Sequence, residues 1–291
     1  MSRYNSYYSH IRRIRANLLS YIEIFHRMNF EYTNGDLLLR STNTSSKFDK
    51  TLNSLWTLAY ESNYFHYKID TSLSSVKKIC SGNVNILILF LGKDSFYSVI
   101  KCFLLSSNRY LCMGFNSLLA HASVNHLHLH LWQSPEYLRA MSTDIKLKYE
   151  NSLYYELVNH PVDNFVLELT DLTELDRFVN YSWIVISSCQ HLQIAHNVFV
   201  ARSKSTGCVR VVVWPRCSVF EVKNLSTIDS EPSFYVAVAE LAGMMVVASE
   251  DVACTLNFDK VETILRSERL PRGTIHALEC KVFETVSIQE A

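Results

Sequence analysis

The stretch Asn125-His126-Leu127-His128-Leu129-His130-Leu131-Trp132 decides the reading of this chain. Histidine and leucine alternate along it. An extended strand has a side-chain period of two, so His126, His128 and His130 share one face and the three leucines share the other. The leucine face can be buried. The histidine face then presents a row of imidazoles that titrate near neutral pH. Two chemistries are open to such a row. A neutral imidazole attacks phosphorus readily, with the central ring as nucleophile and its neighbours orienting it or contacting phosphate oxygens. Alternatively, two imidazoles two apart on a strand share a cation with a third ligand from elsewhere. Spacing alone leaves these two at parity. Strict alternation of three histidines argues against the remaining reading, a solvated edge with no chemistry.

Around that stretch the composition sets bounds. The 291 residues are 48% hydrophobic and 12% aromatic, with a formal net charge of zero. A chain of this size buries roughly 75% of its unfolded surface and forms one or two domains. Zero net charge excludes a broad electrostatic footprint for nucleic acid but leaves room for a small anionic ligand. No apolar run reaches the roughly 18 to 20 residues that span a bilayer, so no membrane partner is expected. Eight cysteines are scattered without a C-x-x-C pair, which reads as free thiols in a reducing compartment. Residues 3–27 carry Arg3, Arg12, Arg13, Arg15 and Arg27 against the single acid Glu23, with Ile11, Ile14, Leu18 and Ile22 on one helical face. A surface helix or extension is the preferred reading and a mitochondrial presequence the other, so a cytoplasmic protein is expected.

The hydrophobic periods then assign elements. Helical spacing of Phe48, Leu52, Leu55, Trp56 and Ala59 predicts a helix over 47–62, after a Ser/Thr/Asn loop near 41–46. Strands are predicted at 84–91 and 110–116, a helix between them near 94–106, and the histidine strand at 124–132. Residues 134–160 read as an irregular connection. A second set follows: a strand from Asn164 to Leu169, a helix over 172–190, and strands Ala195–Ala201 and Val209–Trp214 joined by Ser-Lys-Ser-Thr-Gly. A short strand at Ser218–Val222 and a helix over 233–247 complete the pattern. Strands mixed with helices and joined by hairpins give an α+β fold with mostly antiparallel sheet.

The residues flanking the histidines separate the two chemistries. The string Gly114-Phe115-Asn116-Ser117, followed by Ala122-Ser123-Val124-Asn125 and the three histidines, resembles the histidine-triad superfamily, motif His-φ-His-φ-His-φ-φ. Within it the string is similar to the GDP-D-glucose phosphorylase family, relatives of plant GDP-L-galactose phosphorylases. The resemblance continues through Ser46-Lys47-Phe48-Asp49, Trp56 and Phe65-His66-Tyr67, then Ile194-Ala195-His196-Asn197-Val198-Phe199-Val200, Val209 to Arg216, and Glu240-Leu241-Ala242-Gly243. It spans roughly residues 46–270.

The resemblance implies a fold of the histidine-triad/galactose-1-phosphate uridylyltransferase type, antiparallel sheet flanked by helices. The corresponding domain is 46–270, in two pseudo-repeated halves of about 46–140 and 160–270, between an extension at 1–45 and a tail at 271–291. The implied reaction converts a GDP-hexose and phosphate to GDP and a hexose 1-phosphate. No metal and no cofactor are implied; inorganic phosphate is the co-substrate. His128 matches the nucleophile that forms a covalent guanylyl-histidine; His126 orients it and His130 holds a non-bridging oxygen. Asn116 and Ser123 match positions contacting phosphate or ribose. His196 and Asn197 are expected to face the pocket from the second half, and Arg210 to reach phosphate. Between Tyr67 and Gly114 the chain departs from the family pattern, which carries a longer segment there, so the first half is expected to be truncated. Cys217 and Glu221 stand where lysine and glycine are common. The other function class is a weakened or inactive paralogue that binds a nucleotide or a protein partner. Oligomeric state is left open.

Overall fold

In the computed structural model the histidine strand runs through a sheet of eight strands. The structure describes residues 37–39, 45–61, 84–87, 92–122, 128–150, 152–219, 234–247 and 250–290. Two units divide the chain, residues 1–37 and 38–291, and the second contains all the elements described below. The strands are β1 (Val84–Leu87), β2 (Leu111–Asn116), β3 (His128–Gln133), β4 (Ile145–Leu147), β5 (Tyr155–Leu157), β6 (Phe165–Leu169), β7 (Ala195–Arg202) and β8 (Val209–Arg216). They lie in the order β1-β3-β2-β7-β8-β6-β5-β4, and each paired set is antiparallel. With eight α-helices among the described residues accompanying this sheet, the α+β class holds. The helices are α1 (Lys47–Glu61), α2 (Lys93–Leu105), α3 (Arg139–Ser142), α4 (Leu175–His191), α5 (Val238–Ala242), α6 (Glu250–Thr255), α7 (Phe258–Arg266) and α8 (Arg272–Glu290).

One arrangement occurs twice. β1, α2, β2 and β3 form a strand-helix-strand-strand unit in the order β1-β3-β2. β6, α4, β7 and β8 form another, in the order β6-β8-β7, and the two meet where β2 pairs with β7. β3 and β8 therefore hold equivalent places. The first carries histidines at 128 and 130; the second carries Arg210, Val212, Trp214 and Arg216. β7 and β8 are buried along their whole length because both faces of the sheet are covered. On one face α4 packs beside α2 and α8, burying Phe178, Val185 and Ile186. On the other, Trp132, Phe199, Val212 and Trp214 form a core with Leu138, Met141, Val238, Leu241 and Leu265.

Local chemistry explains the element ends. Ser46 and Asp49 cap α1 reciprocally: Asp49 N–H donates to Ser46 Oγ at 3.1 Å, and Ser46 N–H donates to Asp49 Oδ2 at 3.2 Å. Asp49 is buried and also accepts from Ser106 Oγ, from Ser107 N–H at 2.8 Å and from Ser107 Oγ at 2.7 Å. Burial pushes its carboxyl up, but these hydrogen bonds outweigh it and hold the group below the usual carboxylate range. Asp171 caps the turn that leads into α4 by accepting from Thr173 N–H at 2.9 Å.

The structure corrects two element expectations. The helix expected over 233–247 reduces to Val238–Ala242, because Gly243 takes φ +108° and ends it in the left-handed region. The connection at 134–160 contains α3 and the β4–β5 hairpin. Residues 88–91, 124–127 and 220–222, which fall within expected strands, lie outside the described residues, as does the basic stretch at 3–27. In 271–291, α8 buries Leu278 and Val282. No helix among the described residues is long and apolar enough to cross a membrane.

Candidate active site

β3 brings the histidine strand into the interior of the sheet, between β1 and β2. His130 pairs with Gly114 on one side and Asn85 on the other, and His128 pairs with Leu87. Leu129 and Leu131 are buried, as the alternating pattern requires, while His130 is half-buried. His126 and Ser123 lie outside the described residues; for His128 the backbone pairing is described. Gly114, opposite His130, is required for close packing. A Cβ there would stand 2.4 Å from Val238 Cγ1 and 3.0 Å from Trp132 Cζ3. The start of α5 and the Trp132 ring thus close over the strand beside His130.

Asn116 and Asn197 come together where the two strand-helix-strand-strand arrangements meet. They pair in the β2–β7 ladder, and Asn197 Nδ2 donates to Asn116 Oδ1 at 2.6 Å. Asn116 Oδ1 also accepts from Val238 N–H at 3.0 Å. Asn197 Nδ2 donates in addition to Ala120 O at 3.1 Å, within the turn after β2. In that turn Leu119 and His121 take φ of 64° and 58°, left-handed values uncommon for such residues. The turn is tied to β7 by Ser117 N–H donating to His196 O at 3.0 Å and His196 N–H donating to Ser117 Oγ at 2.8 Å. The turn after β2 is therefore held by β7.

His196 and Arg210 do not join this group. Adjacent strand residues point to opposite faces, so Asn197 on the site face sends His196 to the other. His196 lies fully inside, its ring 5.9 Å from that of Phe115, with Nδ1 3.0 Å from Ile194 O. Its Nε2 is buried without a hydrogen-bond partner. The expectation that it faces a substrate pocket is corrected on that ground. Arg210 is likewise corrected. It is 2% exposed and its guanidinium is used by the protein: Nε donates to Glu168 Oε1 at 2.8 Å, Nη1 to Ala140 O at 2.8 Å and Thr143 O at 2.9 Å, and Nη2 to Ser203 Oγ at 3.2 Å. Four of its five N–H groups are thus spent inside the protein, beneath a covered sheet face rather than at an open pocket.

Burial gives His196 a pH signature. Desolvation lowers its pKa to about 4, against about 6.5 in the unfolded chain. The unfolded state takes up the proton first, so stability is full above the unfolded value and is lost as pH falls toward the folded one. His160, half-buried and hydrogen-bonded to Val162 and Leu241, is shifted down by desolvation as well and acts in the same direction. Lowering pH from 7 to 5 is expected to cost about 2 kcal/mol through His196 alone. Urea unfolding at the two pH values measures it, and His196→Leu flattens the difference. An equal pH dependence in both proteins counts against this assignment.

Sequence reasoning missed Arg202 and weighed Arg216, like Arg210, between reaching phosphate and a surface strand position; both are also inside. Arg202 donates to the carbonyls of Phe103 at 2.6 Å and Ser106 at 2.8 Å, and Arg216 pairs with Glu268. Their signal, an arginine within a valine-rich strand, is the same as that of a surface strand. Among the described residues no group of three or more His, Cys, Asp or Glu is arranged to hold a metal ion.

Comparison with known proteins adds the following. Residues 79–132 match the family model "GDPGP1-like, N-terminal domain", and residues 138–288 match "GDPGP1-like, C-terminal domain". GDP-D-glucose phosphorylase 1 of Danio rerio is 34% identical over 183 residues, covering 60% of this chain and 51% of that protein. GDP-D-glucose phosphorylase 1 of Homo sapiens is 27% identical over 201 residues, covering 66% and 51%. The chain thus spans about half the length of the curated relatives it matches. The crystal structure of yeast Ap4A phosphorylase Apa2 with Ap4A aligns at a TM-score of 0.44 and 16% identity, covering 66% of this chain and 68% of that one.

Proposed function

Because the chain belongs to the GDPGP1-like family, we propose that it is a nucleotidyl-transferring phosphorylase that acts on a GDP-hexose of the GDP-D-glucose type. The observation that carries this reading is the match of both family domains, the first of which includes β3 and its histidines. The relatives it resembles bear the name GDP-D-glucose phosphorylase 1.

The chemistry divides into two in-line displacements. His128 attacks the α-phosphorus of the GDP-hexose. A P–N bond forms, the bond from that phosphorus to the bridging oxygen breaks, and hexose 1-phosphate leaves with the oxygen. Inorganic phosphate then attacks the same phosphorus. A P–O bond forms, the P–N bond breaks, and GDP leaves with the incoming phosphate as its β-phosphate. His126 orients His128, and His130, Asn116 and Ser123 bind the phosphate oxygens or ribose. No metal or cofactor takes part in this scheme. Its compartment is the cytoplasm, where thiols such as buried Cys112, Cys189 and Cys208 stay reduced.

The test uses GDP-D-glucose and ³²P-labelled inorganic phosphate. GDP labelled at its β position, released together with glucose 1-phosphate, is the expected result. GMP formation that ignores phosphate would identify a hydrolase instead. No glucose 1-phosphate under either condition rejects enzymatic activity on this substrate.

A further inference from the structure

We propose that Asn197 is a positioning residue, whose two amide hydrogens orient Asn116 and hold the 117–120 turn so that Asn116 presents its Nδ2 to a nucleotide α-phosphate. The inference rests on the nucleotide-binding function proposed above and assigns Asn197 a task other than touching substrate.

The argument begins with placement. The β2–β3 ladder ends at Phe115 and Leu129, so the next residues along the two strands are Asn116 and His128. On its other side Asn116 pairs with Asn197. The proposed attacker, Asn116 and Asn197 thus follow one another across three adjacent strands. Hydrogen bonding then fixes which end of each amide points where. Asn116 Oδ1 accepts two bonds, from Asn197 Nδ2 and from Val238 N–H. A flipped Asn116 would set its own N–H groups against both donors, so the oxygen stays inward and Nδ2 outward. That Nδ2 makes no hydrogen bond among the described residues. Asn197 is oriented with equal force, because both its contacts, Asn116 Oδ1 and Ala120 O, are acceptors.

Asn197 is fully buried, and its own Oδ1 is left there without a hydrogen-bond partner. An unpartnered buried acceptor is costly, and a valine or leucine at a central strand position avoids the cost. The residue is suited to its two donors, not to its acceptor. Ala120 lies in the turn that runs on toward Ser123, so one carboxamide holds both a phosphate donor and the approach to a second polar residue.

Binding of the two GDPαS diastereomers tests this without turnover. Sulfur is a weaker acceptor than oxygen, so replacing the oxygen that Asn116 contacts weakens binding more than replacing the other. The wild-type chain is expected to prefer one diastereomer by about tenfold. Asn197→Ser, which reaches neither acceptor, should reduce that preference to within about twofold and weaken GDP binding about tenfold. Asn197→Asp, near-identical in size, replaces the donors by acceptors and should likewise erase the preference. A merely structural Asn197 would lower Tm in these variants while the preference persists, and that result overturns the proposal. Absence of any preference in the wild-type chain, measured without a variant, overturns it as well. If the wild-type chain binds GDP but lacks the preference, the positioning role alone fails. If it binds no GDP, the functional reading fails and the positioning role with it.

Discussion

His128→Ala is expected to abolish phosphorolysis and to leave no covalent intermediate. In the proposed scheme the reaction proceeds through nucleophilic attack by one ring, so the variant lacks the atom that forms the bond, and binding groups cannot replace it. Removing a nucleophile in this way lowers kcat on the order of 10⁴- to 10⁶-fold. Incubation of the wild-type chain with α-³²P-labelled GDP-D-glucose without phosphate should trap radiolabelled protein. The P–N bond of a phosphoramidate hydrolyses in acid and survives in base, so the label should be lost at low pH only. The variant should carry none. In the same scheme His130 and His126 orient or stabilise, so His130→Ala and His126→Ala are each expected to cost about 10² to 10³ in rate while some label still forms. Label retained in His128→Ala would move the nucleophile elsewhere. An inactive nucleotide-binding chain would label in neither protein and still bind GDP.

How the strand was legible, and where legibility stopped, follows from the physics of each residue. Alternation of histidine with leucine is local information, and pairing with β1 and β2 buries Leu129 and Leu131 as it predicts. The helix at α1 was legible for the same reason, since the apolar spacing from Phe48 to Ala59 is local, and Ser46 and Asp49 cap it in the structure. His196 was legible in part. Once 195–201 is read as a strand, its neighbour Asn197 cannot share its face, and that rule alone separates the pair. The arginines were not legible. Arg210 within Val209-Arg-Val-Val looks like a solvent-facing position until α3 and its neighbours, distant in sequence, cover that side of the sheet. The short helix α5 was hidden by composition. Its small residues suit a longer helix, but Gly243 in the left-handed region stops it and lets Val238 sit over Gly114. The duplicated strand-helix-strand-strand unit carries no matching residues in β3 and β8 beyond Trp132 and Trp214, so the residues themselves do not show it and the strand order does.

Arg210→Met is expected to destabilise the protein by about 3 to 5 kcal/mol, the typical cost of breaking a buried ion pair from one side. The sign follows from what remains. Glu168 has a side chain only 8% exposed and is left there without its 2.8 Å partner. The carbonyls of Ala140 and Thr143 lose their donors as well, and with them the tie between β8 and α3. For a domain of this size the loss corresponds to a fall in Tm of roughly 10 °C or more. Glu168→Leu added to Arg210→Met removes the stranded charge and should recover more than half of the loss, since an apolar pair of similar volume often replaces a buried ion pair at little cost. Thermal unfolding of the two single variants and the double variant measures this coupling. GDP affinity, measured well below the transition, should match the wild type in Arg210→Met. A variant that kept its Tm and lost affinity for GDP and phosphate would instead return Arg210 to the substrate. The two readings therefore separate on two instruments: one demands a change in stability with binding intact, the other a change in binding with stability intact.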